Sequence, residues 1–241
     1  MTEPPARGAL EPAGEVQAMF GRIVRRYDLV NRLMTGGRDV AWRKLVARTA
    51  VAGGRRDVAL DVATGTGDLA IVLAEAGAKK VIGVDFVPAM LSAAARKPGI
   101  ADGADRVWLA TADALRLPFP DGVFDACTVS FGLRNMADYE AAVREMTRVL
   151  RPGGRFVCLE LTPYRVPVLR RLFGWYFRAV VPLVGGLLSG DRAAYRYLPA
   201  SVATFPAADD LAALMRRAGL DNVRYRRLGG GTVAMHVGEK P

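Results

Sequence analysis

The chain has 241 residues, of which 51% are apolar, so it can bury a substantial core and is not an intrinsically disordered protein. Its formal charge is +10, from 34 lysines and arginines against 24 acidic residues. The cations are 29 arginines and 5 lysines, and such an excess of arginine suits nucleic acid or anionic lipid but also follows from a GC-rich genome. Two cysteines, Cys127 and Cys158, lie in apolar stretches, which predicts reduced core residues rather than a secreted disulfide scaffold. No cysteine or histidine pair has zinc-ligand spacing, so no metal site is predicted.

The N-terminal third begins with a segment of different composition. Residues 1–14 hold three prolines and two glycines without apolar periodicity, which predicts a disordered leader. This leader lacks a basic start followed by an apolar run, so it does not resemble a secretory signal. Apolar residues then recur every three to four positions, predicting one helix over 15–34 and another over 39–51. These N-terminal helices occupy residues 15–52.

Short apolar runs alternate with helical segments from residue 58 onward. The predicted strands are 58–62, 81–85, 106–111, 123–129, 155–161, 222–229 and 232–238, and the predicted helices are 67–76, 88–97, 138–150 and 207–218. This alternation predicts an α/β fold with a doubly wound, Rossmann-like parallel sheet. The last two strands are joined by Gly229-Gly230-Gly231, which indicates a terminal antiparallel hairpin. Residues 15–241 then form a single domain.

Residues 165–200 interrupt this rhythm and are interpreted as an insert. Between Leu172 and Ser189 the only charge is Arg178, and Pro182 and several glycines divide the apolar run. A spanning helix needs about 20 uninterrupted apolar residues, so the insert is not expected to cross a membrane. It is expected to lie on a bilayer surface or to cap an apolar pocket, with a buried helix pair as the alternative.

The sharpest motif is a glycine turn after the first strand. The strand delivers Asp61, the turn contains Gly65, Thr66 and Gly67, and a helix begins at Asp68. Such a turn also fits a dinucleotide site, but a pyrophosphate disfavours nearby acids. The sulfonium and ammonium of S-adenosylmethionine instead favour the flanking carboxylates. We therefore predict a class I methyltransferase fold that binds this cofactor.

Two further acids follow the next strands of the predicted sheet. Asp85 ends the second strand, where a carboxylate can accept hydrogen bonds from ribose hydroxyls. Asp113, followed by Ala114, ends the third strand and is expected to hold the adenine amino group. No Tyr-x-x-x-Lys pair is present to serve a nicotinamide reaction, which further favours the methyltransferase.

Several motifs from Val16 onward resemble the ubiquinone/menaquinone biosynthesis C-methyltransferase family. The more general ones are Met19-Phe20, Tyr27-Asp28 with Asn31, residues 61–68, residues 117–121, Phe124-Asp125 and residues 151–154. The most specific ones are residues 130–135, Ser-Phe-Gly-Leu-Arg-Asn, and residues 195–198, Tyr-Arg-Tyr-Leu. The resemblance implies cofactor contacts at Thr66, Asp85, Asp113, Ala114 and Ser130. Thr64 and Asp113 depart from the glycine and asparagine of some members, but both keep a polar group.

The resemblance also implies a reaction and its residues. The expected reaction is methylation of a prenylated quinol ring, from demethylmenaquinol to menaquinol, with the ubiquinone pathway as the alternative. Arg134 and Asn135 are expected to stabilise the phenolate, with a salt bridge and a turn residue as the ordinary alternative, and Tyr27 and Asp28 to complete the pocket. His236 is expected to be a packed residue, and no dedicated general base is evident.

The partners expected from this activity are a prenylated quinol and the surface of a membrane. The enzyme would be cytoplasmic and peripherally associated with the inner face of the cell membrane, with residues 165–200 as the entrance for the prenyl tail. Arginines are spread along the chain and aromatics concentrate in the insert, so no nucleic-acid partner is predicted. An RNA methyltransferase and a non-catalytic quinone carrier are the rival hypotheses, and a homo-oligomer is left open.

Overall fold

A single mixed sheet organises the molecule. The computed structural model of the chain describes residues 8–54, 56–102, 106–163 and 192–241, with the backbone alone for 192–196. Within them the strands are β1 (Val58–Val62), β2 (Lys80–Asp85), β3 (Val107–Thr111), β4 (Phe124–Ser130), β5 (Leu150–Leu161), β6 (Asp221–Leu228) and β7 (Val233–Glu239). Their order is β3-β2-β1-β4-β5-β7-β6. Strands β1 to β5 are parallel, and β7 runs antiparallel to both β5 and β6. The predicted doubly wound sheet and terminal hairpin are confirmed.

Helices cover both faces of this sheet. They are α1 (Ala13–Ile23), α2 (Tyr27–Thr35), α3 (Arg38–Ala50), α4 (Asp68–Glu75), α5 (Pro88–Ala94), α6 (Tyr139–Arg148), α7 (Arg192–Thr204) and α8 (Ala208–Arg217). Successive residues of β5 point to opposite faces, as the strand geometry requires. Val157 and Leu159 therefore pack with the core of α3 and α4, while Phe156 and Cys158 pack with that of α6 and α8. Both cysteines are free and buried, as predicted.

The predicted helix over 15–34 is two helices. A 3-10 turn at Val24–Arg26 separates α1 from α2, and Gly36 and Gly37 adopt left-handed backbone angles between α2 and α3. The turn contains no proline or glycine, so the apolar spacing carries no sign of the break. Helix α1 also begins inside the predicted leader.

Residues before α1 contact the domain. The backbone N–H of Ala9 donates to the carbonyl of Met136 at 2.7 Å, and the Tyr139 hydroxyl donates to the carbonyl of Gly8 at 2.8 Å. The part of the predicted leader from Gly8 onward is thus held against the β4–α6 connection. Residues 1–7 lie outside the described residues.

Strand β5 starts earlier than expected. The predicted strand began at residue 155, with Pro152-Gly153-Gly154 as a separator, but Leu150 already pairs with Phe124. The register then shifts, because Arg155 pairs with Ala126, so the segment between them bulges out of the sheet. The insert predicted over residues 165–200 to contact a membrane lies largely outside the described residues, which resume at residue 192. Its last residues, 192–200, belong to α7.

Candidate active site

Two cavities adjoin at the carboxyl edge of the sheet. The edge cavity, about 430 Å³, lies over the ends of β1, β2 and β4 and is lined by residues that include Gly65, Asp85, Asp113, Ser130 and Asn135. The apolar cavity, about 280 Å³, is lined by residues that include Met19, Met34, Trp42, Arg134 and Tyr197. Phe20, Tyr27 and Phe131 line both, so aromatic side chains form the boundary between them.

Asp85 is held rigidly at the edge cavity. Its Oδ1 accepts a hydrogen bond from the N–H of Val87 at 2.9 Å, and its Oδ2 accepts one from the N–H of Gly65 at 2.8 Å. Gly65 supplies this N–H with φ at +57°, a conformation that glycine adopts without strain. Burial raises the pKa of the Asp85 carboxyl, and the backbone donors oppose that shift. The carboxylate therefore has a fixed orientation in which its remaining lone pairs can accept from ligand hydroxyls.

Other predicted cofactor residues surround the same cavity. Asp113 and Ala114 follow β3, and the exposed Asp113 carboxylate accepts from the N–H of Leu115 at 2.9 Å. Ser130 and Asn135 line the cavity, and Ser130 Oγ and Asn135 Oδ1 are buried without a hydrogen-bond partner among the described residues. Buried polar atoms are nearly always hydrogen-bonded, so both atoms are candidates for a hydrogen bond with a ligand.

Helix α1 closes this cavity from above, which the sequence did not indicate. Ala13, Gln17 and Phe20 line the cavity, and Gln17 Nε2 donates to the carbonyl of Phe86 at 2.5 Å. The donor therefore fastens α1 to the segment that follows Asp85. Gln17 is a single polar residue on an otherwise apolar helix face, and that was the available signal.

Asp61 lies beneath the glycine turn rather than in the edge cavity. It lines a small cavity of about 30 Å³, the turn cavity, together with Gly65, Thr66 and Asp68. Its carboxylate is 1% exposed and accepts hydrogen bonds from Thr64 Oγ1 at 2.7 Å and Thr128 Oγ1 at 2.8 Å. Burial raises its pKa to about 6, because the two hydroxyl donors offset only part of the desolvation.

Two cations lie among the carboxylates around the turn. Lys97 Nζ is 2.7 Å from Asp28 Oδ2 and 3.0 Å from Thr66 Oγ1, and it also pairs with Asp68. Thr66 Oγ1 in turn donates to Asp28 Oδ1 at 2.6 Å. This set, named the Lys97 cluster, joins α2 to the glycine turn and to the segment after α5.

The second cation approaches from α3. Arg43 Nη1 is 2.5 Å from Asp39 Oδ2 and 3.5 Å from Asp68 Oδ2. Four carboxylates lie in this region, and only two cations oppose them: the acids are Asp28, Asp39, Asp61 and Asp68, and the cations are Lys97 and Arg43. The net negative charge of the region favours a positively charged ligand. Sequence reasoning missed both cations, because they lie far from the turn along the chain.

Gly67 has a packing role. Its φ is +80°, and a Cβ there would lie 2.7 Å from Ile100 Cδ1 and 3.2 Å from Ala94 Cβ. It is not among the residues that line the edge cavity, the apolar cavity or the turn cavity. Gly67 therefore lets α4 start close to the end of α5 rather than facing the edge cavity directly.

Arg134 and Asn135 face different cavities, although they are consecutive. Both lie on the 3-10 turn Leu133–Asn135 that follows β4, and both are buried. Arg134 lines the apolar cavity and Asn135 lines the edge cavity. The structure thus places Arg134 beside the apolar cavity and Asn135 beside the edge cavity, because neighbouring residues of a tight helical turn point in different directions.

Arg134 forms the salt bridge that the sequence analysis gave as the alternative to a role on the phenolate, with a partner, Glu160, that was not predicted. Its Nη1 donates to Glu160 Oε1 at 2.7 Å and to the carbonyl of Phe131 at 2.6 Å, while Arg134 Nε has no partner among the described residues. Glu160 is 1% exposed and also accepts from the N–H of Leu161 at 2.8 Å. The sequence signal was an acid inside the apolar run of β5. Arg134 thus offers oriented donors more than an unbalanced positive charge.

Tyr27 completes the boundary between the two cavities. Its ring lies edge-on to Phe20, with ring centroids 6.0 Å apart. Burial raises the pKa of its hydroxyl, and the charge of Arg134 opposes this. The hydroxyl is protonated near neutral pH and is able to donate a hydrogen bond. Tyr197, from the specific motif in α7, also lines the apolar cavity, and its buried hydroxyl has no partner among the described residues.

His236 lies in the interior of the hairpin. Its Nε2 is 2.8 Å from the carbonyl of Ala208, and its ring is 1% exposed. Burial lowers its pKa to about 4, so the ring is neutral at physiological pH. It lines neither the edge cavity nor the apolar cavity, which agrees with the expectation of a packed residue.

Two searches of the described part of the chain bear on membranes and metals. No helix there is long and apolar enough to cross a bilayer. No group of three histidine, cysteine, aspartate or glutamate side chains there is arranged to hold a metal ion.

Solved structures with this architecture include two at low identity. The cyclase SpnF superposes with a TM-score of 0.71 at 22% identity, covering 97% of this chain and 99% of that one. A SAM-dependent methyltransferase from Thermotoga maritima superposes with a TM-score of 0.64 at 20% identity, covering 94% and 100%. These likenesses confirm the predicted fold class. At such identities a fold does not determine the reaction.

Sequence relatives are far closer. A demethylmenaquinone methyltransferase from Thermus thermophilus is 50% identical over 224 residues, covering 92% of this chain and 100% of that protein. The enzyme of the same name from Deinococcus radiodurans is 46% identical, covering 98% and 97%. A ubiquinone/menaquinone biosynthesis C-methyltransferase UbiE from a Geobacter species is 41% identical, covering 96% and 99%. A model of the ubiE/COQ5 methyltransferase family matches residues 9–240. The resemblance carried by the motifs is confirmed: the chain belongs to the ubiE/COQ5 methyltransferase family.

Proposed function

We propose that this chain methylates a ring carbon of a prenylated quinol, using S-adenosylmethionine, with demethylmenaquinol as its substrate. The observation that carries the proposal is the pair of adjoining cavities separated by Phe20, Tyr27 and Phe131. One is edged by carboxylates and hydrogen-bonding groups, and the other is mostly apolar. The names of the most similar relatives favour menaquinone, and the ring methylation of ubiquinone biosynthesis is the alternative.

The edge cavity fits the cofactor. Asp85 would accept from ribose hydroxyls, Asp113 and Ala114 would meet the adenine, and Ser130 would donate from its unpartnered hydroxyl. The negative region around the glycine turn would stabilise the charged end, with Asp61, Gly65 and Thr66 nearest to it. Gly67 supports that turn by letting α4 begin close to the end of α5. When bound, the cofactor supplies an electrophilic methyl group.

The apolar cavity would hold the quinol ring. A ring carbon becomes nucleophilic when the neighbouring hydroxyl loses its proton, so the protein must favour the phenolate. Arg134, Tyr27 and Tyr197 line this cavity, and each side chain carries hydrogen-bond donors. Oriented donors in a site that excludes water stabilise developing negative charge strongly. Asn135, from the neighbouring cavity, would fix the boundary at which the two ligands meet.

The prenyl tail of the substrate sets the proposed location. A polyprenyl chain stays in a bilayer, so we place the enzyme in the cytoplasm, in peripheral contact with the inner face of the membrane. Residues 165–200 remain the proposed entrance for the tail. No nucleic-acid partner is proposed, and a homo-oligomer is compatible with the proposal.

Methyl transfer to defined substrates tests the proposal. The purified chain would be given S-adenosylmethionine with reduced demethylmenaquinone, with a demethylated ubiquinone precursor, or with total RNA. Mass spectrometry should show demethylmenaquinol gaining one methyl group, with slower gain on the ubiquinone precursor. Methylation of RNA with none of either quinol would overturn the proposal.

A further inference from the structure

The N-terminal helices have an outer face, formed by α2 and the 3-10 turn before it, that the proposed reaction does not use. Leu29 and Leu33 are each 54% exposed, among the most exposed large apolar side chains of the described residues. Arg25 and Arg32 are also exposed. Leu29, Arg32 and Leu33 are three and four positions apart in α2, which places them along one side of that helix, and Arg25 precedes them in the 3-10 turn. We name this set of two leucines and two arginines the outer stripe.

The charge of the outer stripe has one sign. Between residues 22 and 38 the single acid is Asp28, whose carboxylate is turned toward Thr66 and Lys97 of the Lys97 cluster. The next acid, Asp39, is buried against Arg43. Along the chain, Arg25 and Arg32 therefore adjoin the two leucines with no exposed acid between them.

The opposite face of the same helices lines the apolar cavity. Ile23, Tyr27, Asn31 and Met34 contribute to that lining. A single layer of helix thus separates the outer stripe from the proposed quinol site.

We propose that the outer stripe docks on the surface of an anionic lipid bilayer. Leu29 and Leu33 enter the interface, and the arginines contact the head groups, as amphipathic surface helices do. This inference rests on the proposed function, since a bilayer-held substrate needs the apolar cavity near the membrane. Docking through α2 brings that cavity within one helix thickness of the lipid.

Charge and composition favour lipid over the other anionic or apolar partners. A groove for single-stranded nucleic acid uses exposed aromatic side chains for stacking, and the outer stripe has none. A second copy of the chain would bring like-charged arginines together across a two-fold contact. An anionic bilayer satisfies the leucines and the arginines at once.

Vesicle binding by the full chain tests the inference. Sedimentation with phosphatidylcholine vesicles, with and without phosphatidylglycerol, should show binding only when the anionic lipid is present. The variant Leu29→Ser/Leu33→Ser should lose about tenfold or more in vesicle affinity, because two apolar side chains no longer leave water. Arg25→Ser/Arg32→Ser should lose about fivefold per charge, and added salt should remove that difference.

A matched control replaces two exposed apolar residues elsewhere. Leu10 and Trp108 are 43% and 40% exposed, and Leu10→Ser/Trp108→Ser should bind vesicles like the unaltered chain. Unfolding temperatures of all variants would verify that each is folded. Equal vesicle affinity of the control and of Leu29→Ser/Leu33→Ser would overturn the inference. It would also be overturned if the leucine variant kept its vesicle binding but lost self-association or retention of RNA.

Activity separates this inference from the proposed function. The leucine variant should keep its turnover on a water-soluble quinol with a short tail and lose it on a long-tailed quinol held in vesicles. Anionic-vesicle binding that needs the leucines, in a chain that methylates neither quinol, would overturn the proposed function and leave the docking surface standing.

Discussion

Arg134 and Glu160 form a buried pair whose members cannot be altered independently. Removing one partner of such a pair leaves the other charged and desolvated, at a cost of about 3–5 kcal/mol in stability. A fall in activity of Arg134→Ala alone would therefore mix unfolding with chemistry. The informative change replaces both residues by apolar ones of similar size.

We expect Arg134→Leu/Glu160→Leu to fold, to keep its affinity for S-adenosylmethionine, and to lose turnover by about a hundredfold or more. The magnitude is that for removing one donor to a developing oxyanion. Steady-state kinetics, calorimetry and thermal unfolding on one preparation would measure all three quantities. Unchanged turnover in the double variant would remove Arg134 from the mechanism.

The raised pKa of Asp61 leads us to expect that cofactor binding depends on pH. Its pKa is raised by burial to about 6, so the carboxyl is partly protonated below that pH. Because this pKa lies above that of the unfolded chain, its contribution to folding stability is fully present in acid and is lost as pH rises through 6. A positively charged ligand near the turn favours the ionised form, so binding releases a proton in acid.

Affinity for S-adenosylmethionine should therefore rise with pH up to about 6, by at most about tenfold per pH unit, and level off above it. Calorimetry at about pH 5 and pH 7 would show the difference. Asp61→Asn should flatten the profile while keeping a group that the two threonine hydroxyls can contact. A profile equally steep in that variant would assign the proton to another group.

At the scale of single elements, the Lys97 cluster connects three separate parts of the chain. Lys97 bonds α2 through Asp28 and the glycine turn through Thr66. Asp28 is adjacent to Tyr27, which lines both cavities. We expect Lys97→Met to loosen α2 and to weaken both ligands, whereas Lys97→Arg should restore much of the loss.

Amide hydrogen exchange of α2 together with KM for each substrate would measure this effect. Lys79→Met is the matched control, because Lys79 pairs at 2.8 Å with Asp57 in an exposed position just before β2, at the edge of the sheet opposite the cluster. Exposed pairs contribute little, so this control should behave like the unaltered chain. Equal exchange of α2 in both methionine variants would contradict the role of Lys97.

The same elements show what a sequence can predict. The strands were predictable from short apolar runs between helical segments, because the strands of a buried parallel sheet are apolar on both faces. The position of the edge cavity was predictable from the glycine turn after the first strand. The break at Val24–Arg26 had no sequence signal, because it contains ordinary helix residues. Lys97 and Glu160 were missed for a different reason: each acts on a residue distant in sequence, and only the packing of the sheet and its helices brings the partners together.

For the molecule as a whole, the cofactor should act as a stabiliser. A ligand that binds only the folded state adds about 2.7 kcal/mol at a concentration of about 100 times its Kd. For a chain of this size that raises the unfolding temperature by several degrees. S-adenosylmethionine should produce such a shift, and NADH should not.

Asp85→Ala should reduce the shift at a fixed ligand concentration. Loss of hydrogen bonds to a charged group weakens binding by about 1.5–3 kcal/mol. Trp108→Ala, on the far strand β3, is the control and should keep the full shift. Stabilisation by NADH and none by S-adenosylmethionine would contradict the cofactor assignment.

The position of β7 has a consequence for how the chain assembles. Strand β6 pairs with β7 alone among the described strands, and β7 pairs with β5. During synthesis, β6 therefore leaves the ribosome before the strand that attaches it to the sheet. Until β7 arrives, the edge of β5 stays open, and open strand edges invite pairing between nascent chains. Closure of this side of the sheet thus waits for β7, and a lesion in β7 removes β6 from the sheet as well.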